Sequence, residues 1–401
     1  MNNVKLSDIM DGELSIYSCI LYCISNKLDI VLPDSDSIAL AFPNLKDKNL
    51  QYGEADNTIK VKKDEAAARE LFNMFLQIHN ECINLSMDNE KMDGYLGRIY
   101  TFIISRPILS YIYEFTSLFL NHVENNQNSL DGVRILSVDI FKHFLRDAPH
   151  REAVKFAAFM LSVTHQDSET RMLLDTIGHC DEFALPVARA FAYDKDNESI
   201  FKLAKFVKGW GRFNYLSYME IDSIDKREWL IFESYKCDFC QDYVSLIALK
   251  YGDVLGYLKE NGFDDRIYDA VGDLLDNIYA SKYVDFSDYK DSKEVIKLFI
   301  DDIINREIND ARQYVLVSIL NTLDSNLFSD SERELLAPLV QVPLFENLTF
   351  DKDNKATIFC RDKSKKYVIE RVSNIESKKT KSVKKSGKIK NTKKDSKNYR
   401  I

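Results

Sequence analysis

Between residues 130 and 325, short apolar segments at helical spacing alternate with turns that carry a glycine followed by an aspartate. A glycine just past a helix end can take the left-handed conformation that closes the last turn. An aspartate just after it can accept hydrogen bonds from the free N–H groups of the next helix. The pattern therefore predicts helical hairpins with very short connections, stacked in series. Three junctions carry it: Gly178 with Asp181, Gly252 with Asp253, and Gly262 with Asp264.

Apolar residues within these segments fall at i, i+3, i+4 and i+7, the spacing of one helix face. Three segments show this spacing: Val154 to Leu161, Ile200 to Val207, and Ile267 to Leu274. Two others, Ala153 to Val163 and Phe183 to Ala192, are apolar on nearly every face, which predicts helices buried on several sides. Pro186 lies in the second of them and predicts a kink, unless the helix begins later than its apolar run.

The same region resembles HEAT-type repeats in three segments: Asp147 to Ala157, Gly178 to Phe191, and Phe201 to Trp210. In that family an aspartate near the hairpin turn and a basic residue in the second helix often form ladders, and a proline commonly bends the first helix. Asp147, Arg151 and Pro186 are similar in kind. The aspartate-to-arginine spacing is shorter here than in the family, and the chain shows no strict repeat period.

A further likeness, to uncharacterised bacterial helical-repeat proteins, lies in the segments Gly209 to Arg212, Trp229 to Leu230, and Tyr243 to Leu258. Together the resemblances cover half of the chain. They imply an all-α fold, a right-handed α-α superhelix of the HEAT/ARM-like solenoid type. HEAT-type repeats mostly bind other macromolecules, although a fold does not determine a function. The 13 glycines and seven prolines among 401 residues are few, which also favours helices over an all-β design.

The first apolar run, Leu14 to Ile24, follows three acidic residues, the reverse of the basic start of a signal peptide. The best membrane-spanning candidate, Tyr100 to Leu120, contains two charges and a proline, so we expect a buried helix there. We therefore expect a soluble, cytoplasmic protein with no membrane partner.

Seven cysteines in a chain without an export signal indicate reduced thiols. Cys237 and Cys240 form a CxxC motif, but a zinc site would need a second pair of ligands at comparable spacing. A thioredoxin-like site would need a strand before the motif, and Ile231 to Tyr235 gives only a weak strand signal. The sequence favours the interpretation that the two cysteines are small apolar residues at a helix boundary. A role in metal binding or redox chemistry stays open.

Motifs of enzymes and cofactor sites are missing from the sequence. Gly209-x-Gly211 lacks the third glycine of a phosphate-binding loop and follows a helical pattern instead of a strand. Neither HExxH nor GxSxG occurs, and the six histidines are dispersed. The sequence therefore predicts no catalytic residue, no metal site and no cofactor.

Charge is distributed unevenly along the chain. From Arg361 to Ile401 there are 16 Lys and Arg against four Asp and Glu, a net of +12, and since the whole chain is −9, residues 1 to 360 carry −21. The segment Ser377 to Tyr399 has almost no apolar residues and cannot bury enough surface to fold. Three roles for this tail stay open: neutralising the acidic body, contacting nucleic acid or ribosomes, and contacting acidic lipid or protein.

The two ends differ from the middle. Thr58 to Lys62 alternates and suggests a short strand before a helix over residues 64 to 83, while Leu348 to Cys360 predicts a β-hairpin. Such elements can cap a solenoid. The predicted organisation is a helical capping region over 1–125, HEAT-like repeats over 126–345, a β-hairpin cap over 346–372 and a disordered basic tail over 373–401.

The resulting hypothesis is a non-enzymatic, protein-binding scaffold or adaptor that uses an acidic helical-repeat surface. Trp210, Arg212 and Trp229 are the candidate contacts, because Trp and Arg dominate the energetics of interfaces. The alternative is a nucleic-acid-associated protein that contacts DNA or RNA through the lysines of the tail. These are Lys378, Lys379, Lys381, Lys384, Lys385, Lys388, Lys390, Lys393 and Lys394.

Overall fold

A computed structural model describes residues 5–33, 50–83, 88–125, 130–164, 167–304 and 327–332. Within these ranges every regular element is a helix, so the predicted all-α fold is confirmed. The chain divides into two compact units. Residues up to 220, together with 237–240, form the first, and the described residues of 221–236 and from 241 onward form the second.

The first unit contains α1 (Leu6–Met10), α2 (Ile16–Asn26), α3 (Glu54–Thr58), α4 (Glu65–Ile83), α5 (Asn89–Ile104), α6 (Ile112–Asn125), α7 (Leu130–Asp147), α8 (Arg151–Val163), α9 (Ser168–Ile177), α10 (Ala184–Tyr193), α11 (Asn197–Phe206) and α12 (Trp210–Leu216). Two 3₁₀ turns, Ile108–Ser110 and Asp181–Phe183, lie between them. The second unit contains α13 (Ile224–Phe232), α14 (Gln241–Tyr251), α15 (Val254–Asn261), α16 (Asp265–Ala280) and α17 (Ser292–Ile304).

Helix α8 is the centre of the first unit. It is buried along nearly its whole length, as its apolar sequence predicts, and it packs against α5, α6, α7 and α10. The ring of Phe156 lies 5.3 Å from that of Phe115, 5.8 Å from that of Phe141 and 6.1 Å from that of Phe75, measured between centroids. Each such buried phenylalanine contributes about 1.5–3 kcal/mol by removing its side chain from water.

Helix α14 packs against α16 in the second unit, and both contact α13. Arg227 of α13 joins these three helices to α15. Its Nε donates to the carbonyl of Gly252 at 2.9 Å, and its Nη2 donates to the carbonyl of Asp253 at 3.0 Å. Its Nη1 also lies 3.1 Å from Glu260 at the end of α15. One side chain thus holds both ends of α15.

At two of the three predicted glycine–aspartate junctions the aspartate caps the next helix as expected, but at one of them the left-handed residue is Asp253, with a φ of 47°, instead of Gly252. Asp264 accepts from the N–H of Ile267 at 2.8 Å and begins α16, and Asp253 accepts from Gly256 at 3.2 Å and begins α15. Gly262 ends α15 with a positive φ of 71°, the conformation that glycine tolerates best. The local pattern was sufficient here because a capping carboxylate and the N–H group that donates to it are only three residues apart.

The junction at Gly178 and Asp181 differs from the prediction. Gly178 has an ordinary helical φ of −63°, and its role is close packing. A Cβ built there would meet the hydroxyl of Tyr215 at 2.7 Å and a methyl of Val187 at 2.9 Å. Helix α10 begins only at Ala184, so Pro186 lies in its first turn, where its missing N–H has no role in the helix.

Other predictions at the chain ends have mixed outcomes. The predicted helix over 64–83 is present as α4, but Thr58 ends α3 instead of starting a strand, because its hydroxyl donates to the carbonyl of Glu54 at 2.8 Å and closes the last turn. The predicted hairpin from Leu348 to Cys360 and the segments 346–372 and 373–401 lie outside the described residues. The right-handed superhelix and the division at 125/126 stay predictions. In the described part of the chain, no helix combines the length and apolar character needed to cross a bilayer.

Candidate functional site

Two of the three predicted contact residues are buried. Trp210 and Arg212 are only 8% and 4% exposed in the first unit, whereas Trp229, in the second, is half-buried. Arg212 donates from Nε to the carbonyls of Ala204 at 3.1 Å and Val207 at 2.9 Å, where α11 ends. These bonds satisfy carbonyls that a helix end leaves without partners. The contact role stays a prediction, and in this structure Trp229 is the accessible one of the three. The tail lysines 378–394 lie outside the described residues.

A group of buried charges, which we call the charge cluster, lies beside α8 and consists of Asp56, Arg151, Glu152, Lys155 and Glu182. Lys155 is 1% exposed and forms its centre. Its Nζ lies 2.7 Å from Glu182, 2.8 Å from Asp56 and 3.5 Å from Glu152. A fully buried ammonium is tolerated only with such partners, because burial removes its hydration.

Two connecting segments are fastened to the charge cluster through their backbones. Gly53, just before α3, donates its N–H to Glu182 Oε2 at 2.7 Å. Ile108, in the 3₁₀ turn after α5, donates its N–H to Glu152 Oε2 at 2.6 Å. A hydrogen bond to an ionised carboxylate such as Glu182 is stronger than a neutral one, and together the two bonds fix both segments against α8.

The charge cluster holds three carboxylates and two cations, so full ionisation would leave one excess negative charge. Burial raises the pKa of Glu152 to about 7, against the attraction of Lys155, and Asp56 raises it further. Burial likewise raises the pKa of Asp56. Although burial opposes it, the attraction of Lys155 and Arg151 holds the pKa of Glu182 below its usual range. The arrangement therefore favours one proton on Glu152 or Asp56 near neutral pH.

Lys155 occupies the position between the carboxylates that a metal ion would need. In the ranges that the structure describes, no three His, Cys, Asp or Glu residues are arranged to hold a metal ion. The cluster can bind and release a proton, and it can fix chain segments. The sequence alone did not indicate it, because its members come from three separate regions of the chain.

Asp181, the neighbour of Glu182, organises the Gly209–Arg212 turn. Its Oδ1 accepts from the N–H groups of Gly209 at 2.9 Å and Gly211 at 2.8 Å, so it caps α12 across a gap of 28 to 30 residues. Burial raises its pKa to about 6, against the two backbone hydrogen bonds. The sequence signal was the Gly-x-Gly pair, which proved to receive a carboxylate from the same chain.

Replacing Gly211 by alanine is expected to lower the free energy of unfolding by about 1–3 kcal/mol, because the added methyl would overpack this turn. A Cβ there would lie 2.8 Å from the Cα of Asp181 and 3.0 Å from the Cβ of Ala184. The control is Gly94→Ala in α5, where no atom lies within 4 Å of the new methyl. Chemical unfolding that ranks Gly211→Ala as stable as Gly94→Ala would contradict the role of the turn.

The outer face of α2 carries two large apolar side chains beside the exposed serines Ser18 and Ser25. Ile16, Ile20 and Cys23 are buried, and helical periodicity places Leu21 and Tyr22 on the opposite side, where Tyr22 is 63% exposed. Val31 is 68% exposed, and its carbonyl accepts from the thiol of Cys19 at 3.1 Å, which brings it back beside α2. We call Leu14, Leu21, Tyr22, Leu28 and Val31 the α2 surface; all five are exposed.

An open depression of about 550 Å³ lies at the N-terminal end of α2. Its lining combines apolar side chains with acids: Leu6, Met10 and Leu14, with Glu13, Asp93 and Asp147. The run Leu14 to Ile24 contains both the buried face of α2 and part of the α2 surface. The overlooked signal was the pair Leu21 and Tyr22 opposite the buried face, which is more than packing on one side requires.

Comparison of the chain with protein-family models, with curated proteins and with solved structures found no match.

Proposed function

We propose that this protein is a cytoplasmic, non-enzymatic scaffold or adaptor with HEAT-like helical repeats, and that the α2 surface is where it binds a protein partner. The observation that carries the proposal is the set of five large apolar side chains exposed on and beside one helix. Single exposed apolar residues are common, but a group of them more often marks an interaction site.

The chemistry of the surface selects the partner. The exposed charged residues that flank α2 in the sequence are mostly acidic: Asp8, Asp11, Glu13 and Asp29, against Lys27. The adjoining depression adds Asp93 and Asp147. A segment with apolar side chains on one face and Lys or Arg on the other, such as an amphipathic basic helix, complements this surface.

The test compares wild type, Leu21→Ser/Tyr22→Ser and Ile224→Ser. Both variants remove exposed apolar side chains, but Ile224 belongs to the second unit. Affinity purification with quantitative mass spectrometry identifies proteins that wild type and Ile224→Ser retain and the double variant loses. Calorimetry with the purified partner should then show binding weakened at least tenfold by the double substitution, which is about 1.4 kcal/mol. Added salt should weaken the wild-type complex.

Two results would contradict the proposal in different ways. If the double variant binds the purified partner as tightly as wild type, the α2 surface is not the interface. If the intact protein retains no partner specifically, the scaffold function itself is wrong. Circular dichroism of the double variant shows whether it keeps the helical content of wild type, so that lost binding can be separated from unfolding.

A further inference from the structure

The CxxC motif forms a tight turn in the first unit. The N–H of Asp238 donates to the carbonyl of Lys208 at 2.7 Å, and the thiol of Cys240 donates to that of Gly209 at 3.5 Å. The thiol of Cys237 donates to the carbonyl of Phe239 at 3.0 Å. Because that carbonyl carbon is bonded to the nitrogen of Cys240, the sulfur of Cys237 lies next to the backbone of the second cysteine.

The two cysteines differ in accessibility in the way that a reactive pair requires. Cys237 is buried, whereas Cys240 is half-exposed. An exposed thiol can be reached by a reagent from solution, and a buried neighbour can then displace that reagent without being attacked first. Cys240 also has a positive φ of 55°, a conformation that is uncommon for residues other than glycine and costs energy.

A buried positive charge lies near both cysteines. The guanidinium of Arg212 interacts with Cys237 and Cys240, and also with the carboxylates of Asp181 and Asp238. Its Nε is held by the carbonyls of α11, so the cation cannot turn away to solvent. The cysteine pair therefore lies beside a fixed cation whose field two carboxylates share.

We propose that Cys237 and Cys240 are a reversible dithiol–disulfide pair that exchanges with disulfides of the glutathione type. The thiolate of Cys240 attacks one sulfur of the oxidised reagent, forms a mixed disulfide and releases the first reduced thiol. The thiolate of Cys237 then attacks the sulfur of Cys240 and releases the second. Two electrons and two protons pass from the cysteine pair to the reagent, which leaves as two thiols.

The experiment uses the full chain, reduced and then equilibrated in buffers of defined oxidised-to-reduced glutathione ratio. After acid quenching and alkylation, mass spectrometry of the peptide containing 237–240 reports its state. The disulfide form takes up no alkyl group, whereas the reduced peptide carries two, so the two forms differ by two alkyl groups in addition to the roughly 2 Da of hydrogens lost in the disulfide. The fraction of the disulfide form should rise with the glutathione ratio and fall to zero when reduced glutathione is restored.

Two variants separate the roles of the two thiols. Cys237→Ser should trap one glutathionyl group on Cys240, because the displacing thiol is gone, whereas Cys240→Ser should leave Cys237 largely unmodified. Cys82 is half-exposed, and it provides the internal control for reagent access. The proposal is overturned if the 237–240 peptide stays reduced in wild type while Cys82 is glutathionylated. It is equally overturned if Cys237→Ser leaves Cys240 unmodified.

Discussion

Replacing Lys155 by methionine should lower the free energy of unfolding by about 3–5 kcal/mol, the usual cost of removing one partner from a buried ion pair. Lys155 lies within 3.5 Å of three buried carboxylates, and its removal leaves them with Arg151 as the remaining cation of the charge cluster. Methionine has a similar length and no charge, so the loss would come from electrostatics more than from a cavity. Urea unfolding followed by circular dichroism measures the change.

Lys202→Met is the matched control for that experiment. Lys202 also pairs with an acid, Asp175, at 3.1 Å, but its side chain is exposed. Such a surface pair contributes only about 0–1 kcal/mol. Adding Asp56→Asn and Glu182→Gln to Lys155→Met removes two of the stranded charges and should recover part of the stability. Equal costs for the Lys155 and Lys202 substitutions, or no recovery in the triple variant, would contradict the account of the cluster.

Stability should decrease as the pH rises from about 5 to 8, with Glu152 as the main cause. Its pKa is raised from 4.5 to about 7 in the folded protein, so the folded state binds the proton more tightly than the unfolded chain. This stabilisation is fully present below pH 4.5 and is lost as the pH rises through 7. The shift corresponds to a contribution on the order of 3 kcal/mol, since one pKa unit is about 1.4 kcal/mol.

Other groups modify this slope. Burial raises the pKa of Asp181 and of Asp273 to about 6, which gives both the same sign as Glu152. Burial lowers the pKa of His79 from 6.5, and this opposes the trend near that pH. The charged groups that act on Glu152 itself come from several elements: Lys155 on its own helix, Asp56 of α3 and Glu182 of the 3₁₀ turn. Burial raises the pKa of Tyr111, and the charge of Glu152 raises it further.

Glu152→Gln isolates the contribution of this carboxyl. The variant keeps the side-chain shape and an acceptor for the N–H of Ile108, but it cannot take up the proton. We expect the difference in unfolding free energy between pH 5.5 and pH 8 to shrink, whereas Glu70→Gln, an exposed surface change, should leave it as in wild type. A wild-type protein that becomes more stable with rising pH over this window would show that the assigned proton is absent.

Sequence reasoning succeeded where the interacting atoms are close along the chain. Helix α16 and its cap at Asp264 could be predicted because apolar spacing and capping act over three to seven residues. The buried character of α8 could be predicted because its residues are apolar on nearly every face. Arg151, Glu152 and Lys155 interrupt that apolar helix, and nothing local showed that all three are buried with it.

The sequence by itself determined the helical class of the described chain, the bounds of its strongest helices and the uneven distribution of charge, because all of these depend on neighbouring residues. Only the tertiary structure decided that Lys155 meets Asp56 and Glu182, that Asp181 caps a helix 28 residues away, and that Arg212 is buried instead of exposed. Those contacts join distant parts of the chain, and their energies depend on burial, which no local pattern specifies.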